Sequence, residues 1–387
     1  MTTPPRAFDV DKLLDAASII VCCGAGGVGK TTTSAALALQ AAERGRKVCV
    51  LTIDPARRLA QSMGLTELDN TPRSVAGVDA AAGGSLDAMM LDMKRTFDEI
   101  VLSHADPQRA EQILANPFYV SLSSSFAGTQ EYMAMEKLGQ LRAEARWDLI
   151  VVDTPPSRSA LDFLDAPQRL GRFLDGRMIR LLLAPAKAGG RGVMKVFTVG
   201  LGVFTSVLTK VLGAQALKDL SLFVASLETM FGGFRDRAER TYRLLKEPGT
   251  AFVVIAVPER DALREAAYFV ERLAEERMPL AGLVLNRVHA SSATTLSVER
   301  SLAAAESLDE AGASGVAAGV LRIHAERLAT AAHDARIAGR FRAAHPTVPV
   351  VEVAAQSEDV HDLEGLRRIG SELASGPQAS APMARPA

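Results

Sequence analysis

With 387 residues, 48% of them hydrophobic and 23% charged, the chain can bury a sizeable core, and an intrinsically disordered class is excluded. A formal net charge of −1 argues against a protein whose main task is coating nucleic acid. The three cysteines, Cys22, Cys23 and Cys49, lie in apolar runs with no C-x-x-C pair. They read as buried thiols of a reducing compartment, with no obvious ligand set for zinc or an iron–sulfur cluster.

Residues 1–12 mix Pro, Arg and Asp and contain no apolar run of signal-peptide type, so the expected location is the cytoplasm. A strand is expected over Ser18–Cys23, then a glycine-rich turn, then an Ala- and Leu-rich helix over Lys30–Arg44 that stops at Gly45. The β-branched run Val48–Ile53 completes a βαβ unit. Residues 93–146 read as mostly helical. Further apolar runs follow at Leu149–Val152, ending in Asp153, and at Ala251–Val257, with a helix over Glu259–Glu276 behind it. The last strand candidates are Leu283–Leu285, ending at Asn286, and Val348–Val353. Continuous apolar strands alternating with helices imply an α/β fold, a mostly parallel sheet covered on both faces. Residues of about 167–245, rich in Leu, Val, Phe and Met, read as a helical insertion. One domain is expected over 1–374. The Pro-, Ala- and Ser-rich tail, 375–387, is expected to be disordered. The longest uncharged apolar stretch, Val196–Thr209, lies between Lys195 and Lys210 and falls short of the roughly 20 residues that span a bilayer.

Gly24-Ala25-Gly26-Gly27-Val28-Gly29-Lys30-Thr31 matches G-x-x-x-x-G-K-[ST] in full, between an expected strand and an expected helix. The glycines let successive backbone N–H groups turn toward phosphates, and the helix adds its positive N-terminal end. Lys30 is placed to reach the β- and γ-phosphates, the Thr31 hydroxyl to ligate Mg²⁺, and Thr32 to bind the α-phosphate. The bland alternative is a glycine turn without a ligand. Such a loop needs an acid on a neighbouring strand to hold the metal's water shell. Asp153, followed by Thr154-Pro155-Pro156-Ser157, fits that role; the alternative is a turn residue. Asp54, at the end of the second strand, can orient a water over the γ-phosphate, or cap a helix starting near Ala56. The run Asn286-Arg287-Val288-His289 lacks the lysine and aspartate of the guanine-selecting N-K-x-D pattern, while Asn286 can still contact adenine. ATP is therefore expected over GTP.

Four blocks together resemble the arsenite-pump ATPase (ArsA) family, which includes ATPases that target tail-anchored membrane proteins, within the deviant P-loop class. They are Gly24–Thr32; Asp54-Pro55-Ala56; Asp153-Thr154-Pro155-Pro156-Ser157 with Leu161 and Leu164-Asp165 behind it; and Val284-Leu285-Asn286-Arg287. Their order and spacing agree from about residue 17 to about residue 370. The resemblance implies a P-loop NTPase with a parallel sheet and a dimer holding nucleotide at its interface. It implies Asp54 as the water-positioning acid, Asp153 at the head of a switch segment and Asn286 at the base. It also implies that the insertion forms a hydrophobic surface for client helices.

Departures from the family pattern are specific. The family's lysine, one residue after the first loop glycine, is Ala25 here, so the cation that crosses to a partner's phosphates is missing. The arsenite-binding cysteines and the zinc C-x-x-C have no counterpart. The loop after the last strand reads Val351-Glu352-Val353-Ala354-Ala355 in place of Leu-Pro. These features define two expectations. One is an ATPase that couples hydrolysis to a client protein or membrane component, as a homodimer. The other is a poorly hydrolysing subunit of a heterodimer whose paralogous partner brings the lysine. A surface-partitioning ATPase would need a basic DNA-binding face or an amphipathic C-terminal helix, and a nitrogenase-type reductase would need cluster cysteines. The sequence offers neither set.

Overall fold

The computed structural model describes residues 8–54, 58–117, 119–120, 123, 129–155, 236–291, 295–312 and 315–375. The chain forms two compact units. One is drawn from Met1–Met90, Glu144–Ala160 and Leu245–Ala387, the other from Leu91–Ala143 and Leu161–Leu244.

The first unit is built on an eight-stranded sheet. Its strands are β1 (Ile19–Gly24), β2 (Lys47–Thr52), β3 (Arg73–Ser74), β4 (Ser85–Met90), β5 (Leu149–Asp153), β6 (Thr250–Ala256), β7 (Leu280–Val288) and β8 (Val350–Ala354), in the order β3-β4-β2-β5-β1-β6-β7-β8. Every pairing is parallel except the short β3–β4 pair at one edge. β1 lies between β5 and β6, with Ile19 opposite both Ile150 and Thr250. All residues of β1, β5 and β6 are buried, the signature of a parallel sheet covered on both faces. Burial pushes the Cys22 thiol up to about 12 and Cys23 higher still, so both remain protonated, inert core residues at neutral pH.

Helices of this unit include α1 (Val10–Ala16), α2 (Lys30–Glu43) and α3 (Arg58–Ser62). α2 is lined with small side chains, Ala35, Ala36, Ala38, Ala41 and Ala42, all buried, so it seats closely against the sheet. It ends at Gly45, whose φ of 98° is the left-handed stop expected there.

In the second unit α4 (Met93–His104), α5 (Pro107–Leu114) and α6 (Thr129–Ala143) account for the helical stretch expected over 93–146. Asp92 and Asp106 cap the first two by accepting hydrogen bonds from the backbone N–H groups of Arg95 and Arg109. Residues 236–244 are also helical. The expected insertion of about 167–245 lies, up to residue 235, outside the described residues, as does the tail beyond Ser375.

Back in the first unit, α7 (Arg260–Glu275) follows β6. α8 (Val298–Glu310) and α9 (Gly315–Ala344) follow β7, and α10 (Leu363–Ser375) follows β8 and packs against α2. Strands β3 and β4 were not among the sequence expectations. Ser85-Leu86-Asp87-Ala88-Met89-Met90 breaks its apolar run with Asp87, a residue disfavoured in strands. Here Asp87 is buried because Arg146 (2.8 Å) and the indole N–H of Trp147 (2.9 Å) both donate to its Oδ2. β7 also runs past Asn286, where the sequence suggested an end, because its pairing with β8 resumes at Val288–Ala354.

Candidate functional site

β1 delivers the chain into the loop 24–29 at the C-terminal edge of the sheet. A Cβ on Gly24 would stand 2.1 Å from the Ile255 carbonyl oxygen of β6, so only glycine permits this close passage. Gly29 has φ +94°, and a Cβ there would meet Asn286 Nδ2 at 2.2 Å. Gly29 is also the residue at which α2 begins, and no side chain caps the helix there. The first N–H groups of α2 thus face the loop's mouth as an anion site.

Lys30 is 6% exposed and its Nζ donates to the Ala25 carbonyl oxygen at 2.7 Å. Burial pulls its ammonium below the ordinary lysine range, opposed by the charge of Asp153. The Thr31 hydroxyl donates to Asp153 Oδ2 at 2.8 Å, and Thr52 at the end of β2 donates to the same oxygen at 3.0 Å. Asp153 is 0% exposed, and its other oxygen, Oδ1, has no hydrogen-bond partner among the described residues. Burial raises its carboxyl to about 6, with the bonds from Thr31 and Thr52 and the charge of Lys30 pulling the other way. Thr154 is held by its hydroxyl to the Cys22 carbonyl oxygen at 2.8 Å, which ties the end of β5 to β1.

These groups open onto a cleft of about 1180 Å³. Gly27, Gly29, Lys30, Thr31, Thr32 and Asp54 form its phosphate-loop end. The backbone N–H of Asp54 donates to the Thr52 hydroxyl at 3.2 Å, so Asp54 and Asp153 are tied to one threonine. Gly26 is exposed, Val28 is buried, and Ala25 packs partly against the core. The helix for which Asp54 could be the cap would start on residues 55–57, outside the described residues, as do residues 156–235, among them Pro156, Ser157, Leu161, Leu164 and Asp165.

Asn286 lines the cleft, and its Nδ2 donates to the Val28 carbonyl oxygen at 2.9 Å, bracing the loop. Much of the remaining wall is Arg287, His289 and the stretch Ala354–His361, residues to which sequence reasoning gave no role of their own. Glu372 of α10 fixes that segment by accepting from the Ala354 N–H at 2.7 Å and the Gln356 side chain at 2.9 Å. The unusual Val-Ala-Ala sequence at this point marked the loop as different from the family pattern, without indicating which side chains face the cleft.

A central parallel strand running through a glycine loop into a helix, with Lys30 and Thr31 at its start and Asp153 on the adjacent strand, defines a P-loop NTPase. The chain belongs to the anion-transporting ATPase (ArsA) family, whose sequence profile matches residues 17–307. It is 26% identical over 298 residues to "ATPase get3" of Schizosaccharomyces pombe, covering 76% of this chain and 81% of that protein. It is 26% identical over 272 residues to "ATPase ASNA1 homolog 2" of Paramecium tetraurelia, covering 68% and 74%. It is also 32% identical over 178 residues to "Protein Rv2184c" of Mycobacterium tuberculosis, covering 41% and 39%. Among the described residues, no helix is long and apolar enough to cross a membrane.

Proposed function

We propose that the chain binds MgATP in this cleft and hydrolyses it to ADP and phosphate, working as a cytoplasmic dimer that couples hydrolysis to a hydrophobic client protein or membrane component. One observation carries the nucleotide reading. A wholly buried carboxylate stands beside the Thr31 hydroxyl with one oxygen unpartnered among the described residues, at the foot of a buried lysine and an uncapped helix start. An unpaired buried carboxylate is costly unless a cation or its water shell completes it. The residues present therefore fit magnesium: the Thr31 hydroxyl would ligate it and Asp153 would hold its water. When bound, the ion supplies positive charge beside the phosphate oxygens.

The chain's own groups do the rest. The α2 N-terminus and the loop amides hold the phosphates. Lys30 gives up the Ala25 carbonyl for the β- and γ-phosphates, with Thr32 on the α-phosphate. Asp54 orients a water whose oxygen attacks the γ-phosphorus as the bond to the β–γ bridging oxygen breaks. This is positioning more than strong basicity. Asn286 braces the loop and would contact the base.

Phosphate release from MgATP by the purified chain, with Asp54→Asn alongside, tests this reading. The expected result is turnover by the wild type and a loss of at least about 10²-fold in Asp54→Asn, with ATP affinity retained. Equal rates in the two proteins would remove Asp54 from the mechanism. Absence of ATP binding would remove the function.

A second reading rests on Ala25. A methyl group cannot supply the charge that a crossing lysine brings, so the chain would bind ATP tightly and hydrolyse it fully only beside a paralogue bearing that lysine. Client coupling rests on the family resemblance. The insertion expected to carry it lies mostly outside the described residues.

A further inference from the structure

We propose that His289, held by Asp334, is a specificity-determining residue of the cleft, a fixed acceptor for a hydrogen-bond donor on the nucleoside. This assignment rests on the nucleotide reading above.

Two devices aim His289. The first is a β-bulge. Between Leu285 and Val288 the chain advances three steps on β7 against two on β8, and Arg287 at the bulge has φ +59°. A bulge of this kind turns the following side chains relative to the ladder. The second device is a carboxylate clamp. Asp334, on α9 and 5% exposed, accepts at Oδ2 from both the His289 backbone N–H (3.0 Å) and its Nδ1 (2.9 Å). Two bonds to one buried oxygen fix both the backbone and the ring. In the neutral ring, Nδ1 then carries the proton and Nε2 presents a lone pair. The ring is half exposed and forms part of the cleft wall.

The neighbouring wall groups are committed differently. Asn286 uses Nδ2 on the Val28 carbonyl, and Gln356 uses Nε2 on the Ala354 carbonyl and Glu372. His361 Nδ1 pairs with the Asp359 carbonyl oxygen in an exposed turn. Among the described wall residues, His289 is the one whose ring is oriented by a buried carboxylate, which leaves Nε2 to face other partners. On a wall outside the phosphate-loop residues, this lone pair would favour a donor on the nucleoside, either the amino group of adenine or a ribose hydroxyl. It disfavours the O6 acceptor of guanine or hypoxanthine.

The experiment is calorimetric titration of the full chain with the magnesium complexes of ADP, 2′-deoxy-ADP, 3′-deoxy-ADP and IDP, for wild type, His289→Ala and Asp334→Asn. Thermal melts confirm that each variant folds. Loss of one hydrogen bond predicts that His289→Ala weakens ADP about tenfold while leaving the analogue that lacks the partner group unchanged. If IDP is the unchanged analogue, the partner is the base amino group; if a deoxy nucleotide is unchanged, it is the ribose. Asp334→Asn should shift the same ratio, in the same direction, by a smaller factor. Equal affinity of wild type and His289→Ala for ADP overturns the assignment, and so does an equal loss across all four ligands. A wild type that binds none of them defeats the nucleotide reading itself, a result distinguishable from failure of His289 alone.

Discussion

At the scale of single residues, the site is organised around Asp153. Its carboxyl is raised from 3.8 to about 6 by burial, which opposes the hydrogen bonds from Thr31 and Thr52. A folded-state value above the unfolded one means that the folded protein holds this proton more tightly. The associated stability is complete below pH 3.8 and is lost as pH rises through about 6. At neutral pH the ionised carboxylate costs the nucleotide-free protein on the order of 3 kcal/mol. Asp153→Asn removes this titration. The difference in melting temperature, wild type minus Asp153→Asn, should therefore fall as pH increases from about 4 to 7. At pH 7, MgADP should restore it in the wild type alone. A difference independent of pH would show that the carboxylate is not strained by burial. The position of Asp153, at the end of a strand beside β1, could be read from sequence because strand, acid and Thr-Pro-Pro follow in order. That Oδ1 has no partner among the described residues could not, since Thr31, 122 positions away, and Thr52 both take the other oxygen.

At the scale of elements, the phosphate loop is a joint between β1, α2 and β7, and Gly29 is where the three meet. Alanine there faces two separate obstacles: a φ of +94° and an Asn286 Nδ2 that would lie 2.2 Å from the new Cβ. The backbone term is about 1–2 kcal/mol. Expelling the Asn286 amide from its bond to the Val28 carbonyl adds about 1 kcal/mol or more. Gly29→Ala should thus lower stability by about 2–4 kcal/mol in chemical denaturation and abolish nucleotide binding. Asn286→Ala should restore part of the stability in the double variant by removing the clash, while leaving the backbone strain. Additive effects would show that loop and strand are not coupled here. The loop was legible because its glycines, lysine and threonine are adjacent in sequence. The brace was not, since Asn286 lies 258 positions from Val28. β4 escaped for a related reason: the acid that interrupts its pattern is paired with Arg146 and hydrogen-bonded by Trp147, about 60 positions later.

At the scale of the whole molecule, the question raised by Ala25 is where the missing cation comes from. The parallel order of the central strands follows from their unbroken apolar runs, and for that reason the fold class was readable in advance. A partner's contribution leaves no such trace in one chain. If catalysis needs a lysine reaching across a dimer, Ala25→Lys should raise phosphate release by at least about tenfold and by up to the order of 10³, with Asp54→Asn cancelling the gain. That result alone would not separate a lysine acting across the interface from one acting on its own nucleotide. A mixed pair does. Ala25→Lys combined with Lys30→Ala gives a chain that offers the crossing lysine while its own phosphate site is crippled. Added to wild type, it should stimulate wild-type turnover, and the stimulation should saturate as mixed dimers replace wild-type pairs. If Ala25→Lys is faster but the doubly substituted chain leaves wild type unchanged, the lysine acts within its own subunit. If Ala25→Lys changes nothing because wild type already turns over freely, Ala25 is tolerated, and the argument for a lysine-bearing paralogue falls.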